Sequence, residues 1–219
     1  GPIVFNSIRC GEEYDARREF EDWAGRSGTV TGWSRAREID GPQGRLVAQM
    51  MPPIRILKAI RPVSVKKVAP QTYQFDMGQN IAGWAKLTVQ GAAGTPIRLE
   101  YGDRLTPEGR LDRSNYEILV TGREVQVDTY TLKGGGVESW EPRFTYHGFQ
   151  WVEVTGLPGR PTLDTLCGYV VGTDFERAGS FACSHPLLNW IQTAAEWSFI
   201  GNFHSIPTDC PHREKNGWT

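Results

Sequence analysis

Short segments that alternate between apolar and polar residues fill the middle of the chain, and they limit its fold more than any other feature. Five such segments lie at residues 73–77, 85–89, 97–101, 126–132 and 150–154. Glycine-containing turn signals separate several of them, at 91–94, 134–136 and 156–159. Successive side chains of a strand point to opposite faces, so each segment predicts a half-buried β-strand. Short strands at this spacing predict an antiparallel β-sandwich or jelly roll.

The sequence pattern differs on either side of this region. Residues 1–62 combine strand-like segments, such as 54–60, with loops. Beyond Ser184, apolar residues recur at helical spacing, which predicts one helix that begins near Pro186 and ends at Gly201. The predicted buried face of this helix consists of Leu187, Leu188, Ile191, Ala194, Ala195 and Phe199. We therefore divide the chain into two β-rich parts, 1–62 and 63–175, and the start of a helical part, 176–219.

Composition and charge argue against several classes of protein. The net charge of the 219 residues is −1 and no long Lys/Arg run occurs, which argues against a surface for nucleic acid or anionic membranes. No apolar stretch is long enough for a transmembrane helix. We expect a soluble protein, and the absence of a signal-like start leaves its localisation unknown. The cysteines at 10, 167, 183 and 210 lack CxxC spacing, which disfavours structural zinc and suits reduced thiols.

The last fifteen residues bring together the groups of a sugar-binding site. Asp209, Arg213, Glu214 and Trp218 lie within ten positions of one another. Carboxylates handle protons and hydroxyls, arginine orients them, and an indole can stack on a pyranose ring. Inverting glycosidases hold two carboxylates roughly 6.5–9.5 Å apart. The spacing alone favours a plainer interpretation, in which Asp209 caps a turn and Glu214 pairs with Arg213 or Lys215 on the surface.

Two other chemistries could use the same segment, and both are disfavoured. Cys210 and His212 would suit a thiol nucleophile and its base, but side chains two positions apart usually point away from each other. Asp209, Cys210 and His212 match no familiar spacing of metal ligands. The neighbours of Glu214 would shift its pKa in opposite directions, and this matters for a role as an acid. Arg213 would hold the carboxylate ionised, whereas burial against Trp218 would raise its pKa.

Residues 208–218 (TDCPHREKNGW) resemble the catalytic signature of the bacterial α-L-rhamnosidases, glycoside hydrolase family 78. Other segments resemble the family in the same order along the chain. These are 11–17 (GEEYDAR) with Gly32-Trp33, 75–84 (FDMGQNIAGW), 140–149 (WEPRFTYHGF) and 179–181 (GSF). The resemblance implies a mainly β fold: the C-terminal part of an N-terminal β-sandwich (1–62), a central β-sandwich (63–175) and the first helix of a truncated (α/α)6 barrel (176–219).

The resemblance also implies a reaction, the hydrolysis of terminal α-L-rhamnosides with inversion. Glu214 matches the general acid, Asp209 and Arg213 match rhamnose-contacting positions, and Trp218 matches an aromatic residue of the sugar pocket. Many members carry an extra acidic residue between the arginine and the glutamate, whereas here Glu214 follows Arg213 directly, and Asn216 replaces a common leucine. The general base would lie beyond residue 219, so we expect the chain alone to be inactive.

No cofactor or metal is implied for this chain, although calcium supports a sugar-binding surface in some relatives. The expected partner is a rhamnose-containing glycoside or polysaccharide, and neither nucleic acid nor membrane is expected. Two alternatives stay open. One is a non-catalytic carbohydrate-binding module with exposed tryptophans among Trp23, Trp33, Trp84 and Trp151. The other is a hydrolase of a different sugar with the same architecture.

Overall fold

The computed structural model of the protein describes residues 1–20, 33–116, 120 and 122–218. Its strands, in chain order, are β1 (Ile3–Ser7), β2 (Gly11–Asp15), β3 (Ile54–Ile60), β4 (Ser64–Ala69), β5 (Thr72–Gln90), β6 (Pro96–Gly102), β7 (Val127–Thr131), β8 (Val137–Trp140), β9 (His147–Thr155), β10 (Leu166–Thr173), β11 (Phe203–His204) and β12 (Ile206–Pro207). A short 3-10 helix covers Ala16–Arg18, and the helix α1 covers Pro186–Gly201. The predicted fold class, mainly β followed by a helix, is confirmed.

Ten of these strands form one curled sheet in the order β1-β2-β7-β6-β9-β5-β10-β3, with β4 and β8 also pairing with β5. The 19-residue strand β5 organises the sheet because its partners change along its length. Residues 72–76 pair with β4 and β9, residues 81–83 pair again with β9, and residues 83–87 pair with β10. The register between β5 and β9 shifts between Asp76 and Ile81. This irregularity bends β5 and lets one strand serve both halves of the sheet.

The alternating segments supply the hydrophobic core. Each contributes side chains that are fully buried, including Phe75, Leu87, Leu99, Tyr130 and Val152. Burying a side chain of this size stabilises the fold by roughly 1.5–3 kcal/mol. The strand predictions are confirmed because all five segments lie in or overlap β5, β6, β7 and β9.

The N-terminal strands join the central sheet directly. β1 and β2 form an antiparallel hairpin, and β2 then pairs in parallel with β7. The turn between them approaches β7 closely, because a Cβ on Gly11 would lie 2.0 Å from the carbonyl oxygen of Val127. Backbone bonds from Gln126 N to Arg9 O (3.1 Å) and from Val127 N to Cys10 O (2.7 Å) fix the turn there. The turn at residues 7–11, here called the N-terminal turn, is thus anchored to the sandwich.

Helix α1 begins and ends where the sequence predicts, but its predicted face is not buried. Leu187, Leu188, Ile191 and Phe199 are between 47% and 55% exposed. The helix reaches the core mainly through Trp197 and Ile200, which pack against the buried cluster of the sheet. Phe199 also packs against the rings of Phe175 and Phe203, whereas Leu187, Leu188 and Ile191 stay about half exposed among the described residues. Among those same residues, no helix has the length and apolar character needed to cross a membrane.

Candidate active site

The predicted site segment folds back on itself after α1. The β11–β12 hairpin turns at Ser205, which has a φ of 69°, and Thr173 Oγ1 accepts a 2.7 Å hydrogen bond from the Ser205 N–H. Beyond it, Thr208 and Gly217 form a β-bridge, and the Trp218 N–H donates to the Pro207 carbonyl at 3.0 Å. Residues 208–217 therefore form a closed loop that is held at its base, here called the site loop.

Asp209 holds the two ends of the site loop together. Its Oδ1 accepts hydrogen bonds from the backbone N–H of Cys210 at 2.8 Å and of Asn216 at 3.0 Å. Its own N–H donates to the Asn216 carbonyl at 3.2 Å. This is the turn-capping role that the plainer interpretation of the sequence expected. Asp209 thus has an evident structural function, and the sugar-contacting role that the family resemblance implies stays a prediction.

The Glu214 carboxylate is held by two neighbours. Arg213 Nε donates to Oε2 at 2.7 Å, and the Cys210 thiol donates to the same oxygen at 3.1 Å. The arginine contact is the main cause that lowers the pKa of Glu214 to about 2. Glu214 is therefore ionised at neutral pH in this arrangement, and a role as proton donor would require its pKa to rise.

The same contacts argue against the thiol nucleophile. Burial and the bond to Glu214 raise the pKa of Cys210, so the sulfur is a protonated thiol. His212 does not approach it in the manner of a base; it lies 4.0 Å from Asp103 and edge-on to Tyr116. All four cysteines are free.

Asp209, Cys210 and Glu214 offer ligand atoms that lie within 4.8 Å of one another. This group, and not the one with His212, is the set of potential metal donors that the described part of the site loop brings together. The same distance also bears on glycoside chemistry. The two carboxylates approach more closely than the roughly 6.5–9.5 Å that accommodates a water in inverting glycosidases. Asp209 and Glu214 are therefore not arranged as an inverting acid–base pair.

Lys215 and Arg9 hold the site loop against the rest of the molecule, and sequence reasoning did not identify either contact. Lys215 Nζ donates to the carbonyls of Ile8 and Tyr146, both at 2.6 Å, and lies 5.0 Å from the centre of the Tyr146 ring. Burial lowers the pKa of Lys215 to about 7, and the nearby Asp128 carboxylate opposes this shift. A lysine that was expected to be a surface ion-pair partner is instead an anchor.

A groove of about 580 Å³ lies between α1, the bend of β5 and the start of the site loop. Its wall includes Trp190, Trp197, Asp103 and Asp209. Trp190 is 65% exposed. Aromatic faces beside a few polar groups are the usual lining of a small-molecule site. The sequence analysis did not select Trp190 as a candidate, although its position on the helix before the site loop was a usable signal.

The other predicted aromatic residues are placed less favourably for a sugar. Trp218 is 78% exposed at the end of the described chain. Trp84 is half-buried and donates to Glu141 Oε2 at 2.6 Å, whereas Trp33 is 54% exposed. Trp23, proposed for a binding module, lies outside the described residues. All four predicted site residues lie in the site loop or directly after it, and Arg213 and Glu214 are in direct contact.

Three family models match successive parts of the chain. They describe the α-L-rhamnosidase N-terminal domain (residues 1–58), the bacterial α-L-rhamnosidase concanavalin-like domain (66–172) and the bacterial α-L-rhamnosidase 6 hairpin glycosidase domain (176–219). The matches follow one another along nearly the whole sequence.

Individual relatives agree with the family models. The α-L-rhamnosidases of Streptomyces avermitilis and Formosa agariphila are 40% and 38% identical over all of this chain. The structure of the α-L-rhamnosidase from Dictyoglumus thermophilum has a TM-score of 0.91 at 41% identity, covering 98% of this chain and 24% of that one. The S. avermitilis enzyme complexed with L-rhamnose has a TM-score of 0.91, covering 100% of this chain and 21% of that one.

The chain spans only 21% and 23% of the two curated relatives. Nevertheless, all three family models and both groups of relatives point to one family. The chain belongs to the bacterial α-L-rhamnosidases of glycoside hydrolase family 78.

Proposed function

We propose that the protein of which this chain is part is an α-L-rhamnosidase, a glycoside hydrolase that removes terminal α-L-rhamnose from a rhamnose-containing glycoside or polysaccharide. One observation carries most of the proposal: the whole chain superimposes with a TM-score of 0.91 on an enzyme complexed with L-rhamnose. In this proposal residues 1–62, 63–175 and 176–219 are parts of the two β-sandwich domains and the catalytic helical domain.

The proposed mechanism is inverting, with Glu214 as the general acid that protonates the leaving oxygen. The contact between Arg213 and Glu214 sets a condition on this role. While the 2.7 Å contact persists, the carboxyl group has a pKa of about 2 and holds no proton at neutral pH. Transfer of Arg213 to a sugar hydroxyl on substrate binding releases the carboxylate. Exclusion of water from the filled pocket then raises its pKa, because burial disfavours the charged form.

Three further residues of the site loop have proposed binding roles. Arg213 orients rhamnose hydroxyls after it leaves Glu214. Trp218, exposed in this chain, offers an indole face for stacking on the sugar ring. Asp209 contacts the sugar with the part of its carboxylate that does not close the loop. The general base is a carboxylate other than Asp209, since Asp209 lies too close to Glu214 to leave room for the attacking water.

The proposal is tested with the full-length protein and its Glu214→Gln variant. Two substrates are compared: an aryl α-L-rhamnoside with an activated leaving group, and an alkyl or sugar α-L-rhamnoside with a poor one. Loss of the acid should lower kcat for the poor leaving group by roughly 10²–10⁴-fold, and much less for the activated one. The control is Glu176→Gln, an acidic residue before α1, which should leave both rates unchanged.

Other outcomes distinguish the alternatives. Equal losses of kcat on both substrates would contradict the acid role of Glu214. The proposal that the protein is a rhamnosidase would still stand. The carbohydrate-binding module would be supported if the wild type binds rhamnosides without hydrolysing them and the Glu214→Gln variant still binds them. Hydrolysis confined to another glycoside would support the hydrolase of a different sugar. The stereochemistry is read separately, from the anomer of rhamnose that NMR detects in the first turnovers.

A further inference from the structure

The site loop is attached to the N-terminal turn by side chains that come from both partners. Arg9 Nε donates to the backbone carbonyl of Glu214 at 3.1 Å, and its Nη2 donates to Asn216 Oδ1 at 2.7 Å. In the reverse direction, Lys215 Nζ donates to the Ile8 carbonyl. Three consecutive residues of the site loop are thus fixed by two consecutive residues of the N-terminal turn.

The N-terminal turn is a firm support for these bonds. The turn is fastened to β7 by its own backbone, and Ser7 Oγ accepts hydrogen bonds from the N–H groups of Arg9 and Cys10 at 3.3 Å. The Ile8 carbonyl also accepts a hydrogen bond from Thr145 Oγ1 at 3.3 Å. A group held from several directions loses little further freedom when it binds another segment, so its hydrogen bonds position that segment effectively.

The site loop needs such support because its own conformation is irregular. Lys215 has a φ of 53°, in the left-handed region that a non-glycine residue adopts at a cost. The bonds from Lys215 to Ile8 and Tyr146 compensate for this cost by anchoring the side chain. Glu214 precedes Lys215 directly, so the direction of its carboxylate depends on how these neighbours are held.

We propose that Arg9 and Lys215 are positioning residues of the reaction, which fix the backbone at Glu214 and directly after it; this inference rests on the proposed function. The N-terminal turn then contributes to catalysis indirectly, through the site loop. Neither residue exchanges a proton with the substrate. Each acts through the position of Glu214, because misplacement of a catalytic group by about 1 Å can reduce the rate roughly a hundredfold.

The decisive experiment uses Arg9→Ala in the full-length protein. The Arg9 carbonyl still accepts its bond from Gln126, so the N-terminal turn should keep its fold. We expect kcat for a poor leaving group to fall about ten- to a hundredfold, with a smaller loss for an activated aryl rhamnoside and with KM within about twofold. Arg9→Lys should recover part of the rate, since lysine can still reach one acceptor, though without the planar fork of arginine.

Arg17→Ala is the matched control, because Arg17 comes from the same part of the chain and instead pairs with Asp15 at 2.8 Å. It should leave kcat and KM unchanged. A double-mutant cycle adds a second test: Arg9→Ala and Asn216→Ala remove the two ends of one bond, so their effects on kcat should not add. Unchanged kcat in Arg9→Ala, equal losses on both substrates, or additive effects in the cycle would each overturn the inference.

Amide hydrogen exchange separates this inference from the proposed function. In the wild type, peptides that cover residues 208–218 should be protected, and Arg9→Ala should speed their exchange without affecting β5 or β9. If the wild type hydrolyses no rhamnoside, the proposed function fails. Hydrogen exchange then still shows whether Arg9 holds the site loop in place. Identical exchange of the site loop in Arg9→Ala and wild type would then reject it.

Discussion

Glu214 is subject to opposing influences, and their balance decides whether it can act as an acid. The Arg213 guanidinium and the Cys210 thiol stabilise the carboxylate, whereas partial burial favours the protonated form. The arginine dominates while the site is open to water. The proposed role as general acid requires a proton on Glu214 at the working pH, so in that proposal the pairing is broken in the occupied site. The low pKa of Glu214 is thus a property of the open site loop.

The effect of Arg213 can be measured directly. In Arg213→Gln we expect the pKa of Glu214 to rise from about 2 toward its ordinary value of 4.5, followed by NMR titration of the carboxyl carbon. A depressed pKa stabilises the folded state above the ordinary value, and this contribution disappears as the pH falls through the folded-state pKa. The stability difference between wild type and variant should therefore shrink below about pH 4.5 and vanish near pH 2.

The size of this stability difference should be modest. The side chains of Arg213 and Glu214 are 43% and 28% exposed, and solvent screening weakens an ion pair that is this open to water. Arg17→Gln serves as the control for a removed surface charge and should leave the Glu214 titration unchanged. A pKa that stays near 2 in Arg213→Gln would show that the thiol and the backbone, not the guanidinium, hold the carboxylate ionised.

Among the strands, β5 depends on a glycine where it meets β10. Gly83 has a φ of 152°, and a Cβ there would lie 1.8 Å from the Tyr169 carbonyl oxygen. The added methyl group of Gly83→Ala must push β5 and β10 apart where they pair. We therefore expect the free energy of unfolding to fall by roughly 2–4 kcal/mol. Urea unfolding measures this change. Gly136→Ala, in a turn with open space around it, should change stability by less than about 1 kcal/mol. Equal stabilities of the two variants would contradict the close approach.

The long alternating segments were predictable because burial of one face of a strand leaves a period-two pattern in the sequence. Short strands with charged or exposed residues, such as β4 (SVKKVA) and β8 (VESW), leave little such pattern. The parallel pairing of β2 with β7 joins residues more than a hundred positions apart, and no local signal records it. The bend of β5 likewise depends on its neighbours, so two predicted strands proved to be one.

The sequence identified candidate residues of the site, whose roles stay predictions, but not the contacts that attach the site loop to the rest of the molecule. Charged and aromatic residues in the site loop identified Asp209, Arg213, Glu214 and Trp218 as candidates. The contact with Arg9 joins residues 205 positions apart in the chain, and an isolated arginine in a turn carries no mark of its partner. The low pKa of Glu214 follows from the actual geometry of Arg213, which the sequence alone left open between two interpretations.

The molecule as a whole combines a ten-stranded sheet that has its own buried core with a helix that has few partners among the described residues. The buried cluster draws almost entirely on the sheet, and α1 adds only partly buried residues such as Trp197 and Ile200. Trp190, Leu187 and Phe199 are each more than half exposed on the same helix. Soluble chains rarely leave large apolar residues clustered in water, so this surface is suited to contact with further protein structure.

This imbalance predicts how the 219-residue chain behaves when it is isolated. Amides of β5 and β9 should exchange slowly, near the limit set by global unfolding, because both strands lie in the middle of the sheet. Amides of α1 should exchange at least about tenfold faster, since the helix has little buried area and an isolated helix of its length is only marginally stable. In the full-length protein of the proposed function the difference should become smaller, because the proposed catalytic helical domain would cover the apolar face. Hydrogen exchange with mass spectrometry, applied to both proteins side by side, measures the change. If α1 is as protected in the isolated chain as in the full-length protein, the few contacts through Trp197 and Ile200 are sufficient to hold it, and the exposed face needs no partner for stability.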